Sequence, residues 1–145
     1  ANKGRAEAHV IEILTEAAPL PYRAYLRKRG VSYILAGKTE LDRQLAMEKL
    51  YRLFHIKMLL ICGGGAADWT FLQAGLVDEL SLVLSPVTDG SSGTASVFAQ
   101  FPAQGAGQPV EFDLKTVQPL GGGGLHLRYL AKNARQSEEA GGSEL

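Results

Sequence analysis

The segment that decides the fold is LLICGGGAADWTFLQAGLVDELSLVLSPV, residues 59–87. It passes from an apolar, strand-like stretch into three consecutive glycines, then into a short helix-like segment and a second apolar stretch. Glycine lets a chain turn sharply, and because it has no side chain it also lets another group approach the backbone closely. The glycines at positions 63–65 therefore have two explanations, a tight structural turn or a seat for a bound group.

The order strand, glycines, helix is a physical basis for binding phosphate. The first N–H groups of a helix lack intrahelical partners, and the helix dipole adds partial positive charge there. In open α/β sheets, ligands bind at the carboxyl ends of the strands, which is where these glycines are expected. The run is neither a G-x-G-x-x-G fingerprint nor a P-loop. From the residues alone, phosphate binding and a structural turn both stay open.

Outward from this segment, the chain alternates between strands and helices. Apolar, β-branched runs predict strands, and apolar stripes at helical spacing predict helices. The predicted strands cover residues 9–14, 31–37, 56–62 and 78–87, and the predicted helices cover residues 19–30, 39–55 and 67–75. This alternation indicates right-handed crossovers and a mostly parallel sheet with helices on both faces.

The last third of the chain follows a different pattern. A loop rich in Gly, Ser, Ala and Gln spans residues 88–108, and two strand-like runs then flank four glycines at 121–124, which predicts an antiparallel hairpin. The predicted fold is a three-layer α/β sandwich with a C-terminal antiparallel hairpin. We expect one domain over residues 1–132 and a disordered polar tail over 133–145.

Composition excludes several classes of protein. Of 145 residues, 15 are Lys or Arg and 15 are Asp or Glu, so overall charge gives no attraction to nucleic acid or to an anionic membrane. The single cysteine, Cys62, excludes an internal disulfide and suits the cytoplasm. The histidines lack ligand-type spacing, so no metal site is expected. The cations Arg23, Arg27, Lys28 and Arg29 are expected on a solvated helix face, with a role at a ligand phosphate as the alternative.

Several motifs together resemble a known family. They are the apolar run into the glycines, FLQAGLVDEL at 71–80, LSPVTDG at 84–90, and the strands VIEILTE at 10–16 and VSYILAG at 31–37. Over roughly residues 8–131 the chain resembles the C-terminal reductase domain of the bacterial riboflavin-biosynthesis deaminase-reductase, within the dihydrofolate reductase-like superfamily.

The resemblance implies an NADPH-dependent reductase that transfers hydride to a pyrimidine- or pterin-like heterocycle or to its ribosyl carbonyl. It implies that the glycine turn and the helix start bind the cofactor's diphosphate, and that Thr15 and Gly37 lie near its adenosine end. Asp68 either caps the helix or contacts a ribose hydroxyl. Relatives pair through their terminal strands, which implies a homodimer. The remaining cofactor contacts implied by position are Gly63, Gly64, Gly65, Ala66, Ala67, Trp69 and Thr70.

The chain departs from the family in two ways. The family domain normally begins with further strands and a helix that hold much of the substrate pocket, and the chain is expected to lack them. Cys62 occupies a substrate-contacting position where the family often has glutamate, and a thiol replaces a carboxylate poorly unless its pKa is strongly lowered. No catalytic residue is assigned, because the nicotinamide itself supplies the hydride. The alternative hypothesis is a nucleotide-binding or structural module without a complete active site.

Overall fold

The computed structural model describes residues 8–88, 90–100 and 107–132. It divides the chain into two compact units, Ala1–Leu59 and Leu60–Leu145. We call them the parallel unit and the antiparallel unit, after the sheet that each contains. The predicted disordered tail at 133–145 lies outside the described residues. None of the helices in the described ranges is long and apolar enough to cross a membrane.

The parallel unit contains two strands that alternate with two helices. Its elements are β1 (Ile11–Leu14), α1 (Leu20–Lys28), β2 (Ser32–Leu35) and α2 (Arg43–Phe54). The two strands pair in parallel, with Ile11 opposite Ser32 and Leu14 opposite Leu35. All four elements confirm predicted ones, with bounds shortened by a few residues at the ends.

The helices of the parallel unit cover opposite faces of the strand pair. On one face, α2 contributes Ala46 and Leu50 to a buried cluster with Ile34 and Ala36, against which Ile13 packs. Successive side chains of a strand point to opposite faces, so Glu12 faces away from this cluster. The Tyr22 hydroxyl of α1 donates a hydrogen bond to Glu12 at 2.7 Å, which places α1 on that second face.

The antiparallel unit contains one helix and a three-stranded sheet. Its elements are α3 (Gly65–Gln73), β3 (Glu79–Leu84), β4 (Phe112–Pro119) and β5 (Leu125–Ala131). The strands follow the order β3, β5, β4, and both pairings are antiparallel. The predicted hairpin is confirmed: its two strands are joined through a 3₁₀ turn at Gly121–Gly123. Because the second hairpin strand is central, the edges of this sheet are its other two strands.

The two faces of the antiparallel sheet differ in polarity. On the polar face, Glu79 accepts hydrogen bonds from Lys115 at 2.8 Å and from Arg128 at 2.5 Å. The bond from Arg128, followed by the bond from Lys115, lowers the pKa of the Glu79 carboxyl. The opposite face is apolar, with Leu82 and Leu127 directly opposite each other in the register.

One predicted strand is not formed. Residues 56–62 have no strand assignment, and Met58 and Leu60 are 80% and 77% exposed. A run that is apolar on both faces needs a neighbouring strand and covered faces, and none of the described strand pairings includes it. The apolar sequence shows that this segment could form a buried strand, but it does not show whether a neighbouring strand pairs with it. The described pairings are therefore one parallel and two antiparallel, so the expectation of a mostly parallel sheet is wrong for these residues, and the three-layer sandwich stays a prediction.

Candidate functional site

Helix α3 begins at Gly65, two residues before the predicted start at residue 67, so the last glycine of the run is the first helical residue. Gly64 is the N-cap in an extended conformation, with φ −75° and ψ 166°. Its carbonyl accepts the N–H groups of Ala67 at 2.9 Å and Asp68 at 3.2 Å. Gly65 and Ala66 are the first two helical residues, and N–H groups at such positions have no intrahelical acceptor. The helix start therefore offers two amide donors and the positive end of the helix dipole to an anion.

The adjacent glycines Gly64 and Gly65 differ in the space around the position where a side chain would lie. A Cβ at Gly65 would lie 2.4 Å from the carbonyl oxygen of Ser96 and 2.9 Å from the amide nitrogen of Ala99. The carbonyl of Gly65 also accepts the N–H of Ala99 at 2.9 Å. A Cβ at Gly64 would meet nothing within 4 Å. Close packing of the chain itself thus explains Gly65, whereas the space at Gly64 is open to a ligand.

Asp68 lies in the first turn of α3 and is half-buried. Its Oδ1 atom is buried and has no hydrogen-bond partner among the described residues. Since α3 has no side-chain cap, the capping role considered for Asp68 is not seen. A carboxylate here is favoured by the helix dipole, but it repels an anion bound at the same helix start.

The side chains that follow in α3 are engaged within the antiparallel unit. A Cβ at Gly107 would lie 2.4 Å from Cζ2 of Trp69, so the indole packs directly on that glycine. The Thr70 hydroxyl donates to the carbonyl of Ala66 at 2.7 Å. Ala67 and Cys62 are exposed, and Cys62 directly precedes the glycines. Cofactor or substrate contacts by these residues stay predictions.

Thr15 and Gly37, the predicted adenosine contacts, lie in the parallel unit. The N–H of Glu16 donates to the carbonyl of Gly37 at 2.9 Å, so the loops that follow β1 and β2 lie side by side. Gly37 has φ +92°, and a Cβ there would lie 2.0 Å from the carbonyl oxygen of Glu40. The turn itself therefore requires glycine at this position. These two residues belong to a different unit from the glycine run.

Two arginines of the parallel unit have environments that the sequence pattern did not reveal. Arg23, expected on a solvated face, donates to the carbonyls of Ala18, at 3.0 Å, and of Glu16. These two hydrogen bonds connect the Arg23 side chain to the loop between β1 and α1. Arg43, the first residue of α2, is half-buried, and its Nε has no hydrogen-bond partner among the described residues. Arg43 directly follows Asp42, the N-cap residue of α2, whereas the sequence predicts a helix from residue 39 and gives Arg43 no special position.

No candidate metal centre accompanies these groups in the described ranges, where no three or more His, Cys, Asp or Glu side chains are grouped to hold an ion. Two of the histidines bond to serines instead. Nε2 of His9 lies 2.7 Å from the hydroxyl oxygen of Ser32, and Nε2 of His126 lies 2.8 Å from the hydroxyl oxygen of Ser81.

Comparison with known families and curated proteins gives a consistent result. Residues 3–126 match the family described as the RibD C-terminal domain. Two curated relatives are each named 2,5-diamino-6-ribosylamino-4(3H)-pyrimidinone 5′-phosphate reductase, from Methanothermobacter thermautotrophicus and from Aquifex aeolicus. Each is 33% identical over 84 residues, which is 58% of this chain but 38% and 37% of the respective relative.

Solved structures show the same fold. A pyrimidine reductase-like protein from Corynebacterium diphtheriae superposes with a TM-score of 0.68 and 21% identity, over 83% of this chain and 49% of that one. Acinetobacter baumannii RibD superposes with a TM-score of 0.61 and 23% identity, over 84% of this chain and 37% of that one. The chain thus spans less than half the length of these proteins and of the curated relatives.

Proposed function

The chain belongs to the RibD C-terminal domain family, and we propose that it supplies the nucleotide-binding region of an NADPH-dependent reductase in riboflavin biosynthesis. The observation that carries this proposal is the open backbone at Gly64, beside two amides at the start of α3. The names of the curated relatives support a pyrimidine-type heterocycle, or its ribosyl carbonyl, as the group reduced.

The helix start fits a diphosphate through its backbone. The amides of Gly65 and Ala66 would donate to phosphate oxygens, and Gly64 would let those oxygens approach the main chain. No Lys, Arg or His occurs between residues 58 and 114, so backbone donors and the helix dipole would carry the binding in this part of the chain. When bound, NADPH supplies the hydride, and the protein's task is to hold and orient the two reactants.

For the parallel unit taken by itself, we propose that Arg43 contacts the adenosine 2′-phosphate and so favours NADPH over NADH. An Arg at the start of a helix combines a guanidinium with the positive end of the dipole, which suits a phosphate monoester such as the adenosine 2′-phosphate. The N–H of Asp42 donates to the carbonyl of Ala36 at 3.1 Å, which holds the start of α2 against the end of β2. Arg43 is thereby placed near Gly37, the proposed adenine neighbour.

Calorimetric titration with NADPH and NADH tests this proposal. We expect micromolar binding of NADPH and weaker binding of NADH. Arg43→Gln should lower NADPH affinity about tenfold and leave NADH affinity unchanged, because it removes one charge-assisted contact to the phosphate. Lys57→Gln removes an exposed cation from the same unit and is the matched control. Equal and negligible heats with both nucleotides would refute the proposal.

The exposed thiol of Cys62 supports a second candidate function, nucleotide binding without turnover. A neutral thiol is a weak hydrogen-bond donor and acceptor, so it does not reproduce the contacts that a glutamate makes to a substrate. An assay of NADPH oxidation with the pyrimidinone phosphate separates the two functions. Turnover supports the reductase, whereas NADPH binding without oxidation supports the nucleotide-binding module.

We further propose that the protein is a cytoplasmic homodimer that pairs through β4. This strand lies at the edge of the antiparallel sheet and is eight residues long, with nearly all its side chains exposed. Its register is interrupted between Leu114 and Thr116. An irregular edge discourages indiscriminate pairing, so a dimer would use the regular part of the strand beyond it. Light scattering should report twice the mass of the chain, and Val117→Pro should convert the dimer to a monomer.

A further inference from the structure

Charge is distributed unequally along this neutral chain. Eleven of the fifteen Lys and Arg residues, but six of the fifteen Asp and Glu residues, lie in Ala1–Leu59. The parallel unit is therefore basic and the antiparallel unit acidic. Between residues 17 and 39 there are five Lys or Arg residues and no Asp or Glu. The net charge of the whole chain is zero only because these two unequal halves cancel. The absence of a net charge therefore does not exclude a local attraction of the parallel unit to nucleic acid.

Within that basic stretch, α1 and its C-cap residue carry exposed aromatic rings and cations close together. Residues 22, 25 and 29 follow the three- and four-residue spacing of one helix face, and residue 28 borders it. Leu26 lies beside these residues, four positions after Tyr22 and three before Arg29, and it is buried at 2% exposure, so the exposed residues border the side of α1 that packs on the strand pair. We call the four exposed residues the aromatic–basic stripe: Tyr22, Tyr25, Lys28 and Arg29.

The members of the aromatic–basic stripe contact one another. The rings of Tyr22 and Tyr25 stack with centroids 6.3 Å apart and an interplanar angle of 18°. The guanidinium carbon of Arg29 lies 5.8 Å from the centroid of the Tyr25 ring. The hydroxyl of Tyr22 is anchored by its hydrogen bond to Glu12, which fixes one end of the stack. The two tyrosine rings and the Arg29 guanidinium are therefore already arranged against one another in the free protein.

The tyrosine rings of the stripe remain partly accessible to solvent. Tyr25 is 53% exposed, and Tyr22 is 40% exposed. None of the ion pairs found among the described residues includes Lys28 or Arg29. In the part of the chain that the structure describes, Lys28 and Arg29 thus present unpaired cations beside exposed aromatic surface, while the Glu12 carboxylate lies against Tyr22 at the other end of the stripe.

We infer that the aromatic–basic stripe binds single-stranded nucleic acid. Cations along a surface contact successive phosphates, while exposed rings and guanidinium planes stack on unpaired bases. An acidic peptide would use the cations and leave the rings without a partner. An anionic membrane is bound by a continuous apolar helix face beside the cations, whereas the Tyr22 ring of the stripe is tied to the Glu12 carboxylate by its hydroxyl. This binding is independent of the proposed reductase function.

Fluorescence anisotropy of the full chain with a labelled oligodeoxythymidine tests the inference. Tyr25→Ala should lower affinity about fivefold or more, because it removes a stacking surface. The double substitution Lys28→Gln and Arg29→Gln should reduce the slope of log affinity against log salt by about 1.4, at roughly 0.7 per phosphate contact on a single strand. The control variants are Tyr51→Ala, at a tyrosine 58% exposed on α2, and Lys57→Gln, and both should bind like the parent chain.

Three outcomes would overturn the inference. The first is no anisotropy change at low salt. The second is loss of binding in the double variant with full binding in Tyr25→Ala, which would indicate a general polyanion surface. The third is equal binding of phosphatidylserine vesicles with no dependence on Tyr25. Circular dichroism of each variant checks that the chain keeps the helix content of the parent.

Discussion

The parallel and antiparallel units use glycine for different reasons at the positions where a cofactor is proposed to bind. In the parallel unit, Gly37 has φ +92° and its own chain fills the space where a Cβ would lie. In the antiparallel unit, Gly64 has φ −75° and open space there. Backbone conformation therefore dictates glycine at 37, whereas nothing in the fold dictates it at 64. A glycine that the fold does not require is the stronger indication of a ligand.

The largest effect on stability is expected at Gly37. Gly37→Ala would place a Cβ 2.0 Å from the carbonyl oxygen of Glu40, in a conformation that side chains rarely adopt. We expect a loss of about 3 kcal/mol in the free energy of unfolding, from backbone strain and overpacking together. Urea denaturation followed by circular dichroism measures it. Gly30→Ala, at φ +68° with open space around it, isolates the strain alone and should cost less.

The adjacent glycines at the start of α3 should respond oppositely to one substitution. Gly65→Ser should lower the free energy of unfolding by about 2 kcal/mol, because its Cβ would contact the backbone of Ser96 and Ala99. Gly64→Ser should change it by less than about 0.5 kcal/mol, since serine is a good N-cap residue. Thermal denaturation of the two variants gives the comparison. Equal destabilisation would mean that Gly64 is also required by the fold.

A smaller effect is expected from the carboxylate beside the open glycine. Asp68→Asn removes one negative charge from the first turn of α3 and keeps the side-chain volume. We expect it to raise the affinity for inorganic pyrophosphate about threefold, as an interaction of this kind at a helix end is worth roughly 0.3–1 kcal/mol. Calorimetric titration measures it, with Asp78→Asn as the matched control. A fall in affinity would indicate that the carboxylate itself contributes to the site.

The smallest effect concerns the pH dependence of the antiparallel sheet. Bonds from Arg128 and Lys115 lower the pKa of Glu79 in the folded state. This stabilisation is therefore complete above the unfolded pKa of about 4.5 and is lost as the pH falls through the folded value. Glu79→Gln should make unfolding less dependent on pH in the acid range. An unchanged pH profile in that variant would show that the Glu79 pairs contribute nothing to stability.

Much of the fold could be predicted because periodicity depends on local residues. The apolar face that α2 presents to the β1–β2 pair is visible as spacing along the chain, and the glycines at 121–124 mark the hairpin turn. The strand predicted at 56–62 failed, because a buried strand depends on neighbours that its own residues do not specify. Equally, no local pattern indicated that β5 would be the central strand of its sheet.

The sequence predicted where the candidate site lies, but it did not predict which of its residues the fold requires and which are open to a ligand. Three consecutive glycines look equivalent in sequence. Only the structure shows that the segment containing Ser96 and Ala99, some thirty residues away in the chain, fills the space at Gly65 and leaves Gly64 open. The unsatisfied Nε of Arg43 was equally invisible, since burial of a guanidinium depends on tertiary packing.

The most direct measurement compares NADPH binding by the parent chain, Gly64→Asp and Gly121→Asp in calorimetric titrations. Both glycines are open, and both substitutions add the same charge to the same unit. We expect Gly64→Asp to abolish binding while its thermal midpoint stays close to that of the parent, and Gly121→Asp to bind normally. NADPH affinity unchanged in Gly64→Asp would contradict the assignment of the diphosphate to the start of α3.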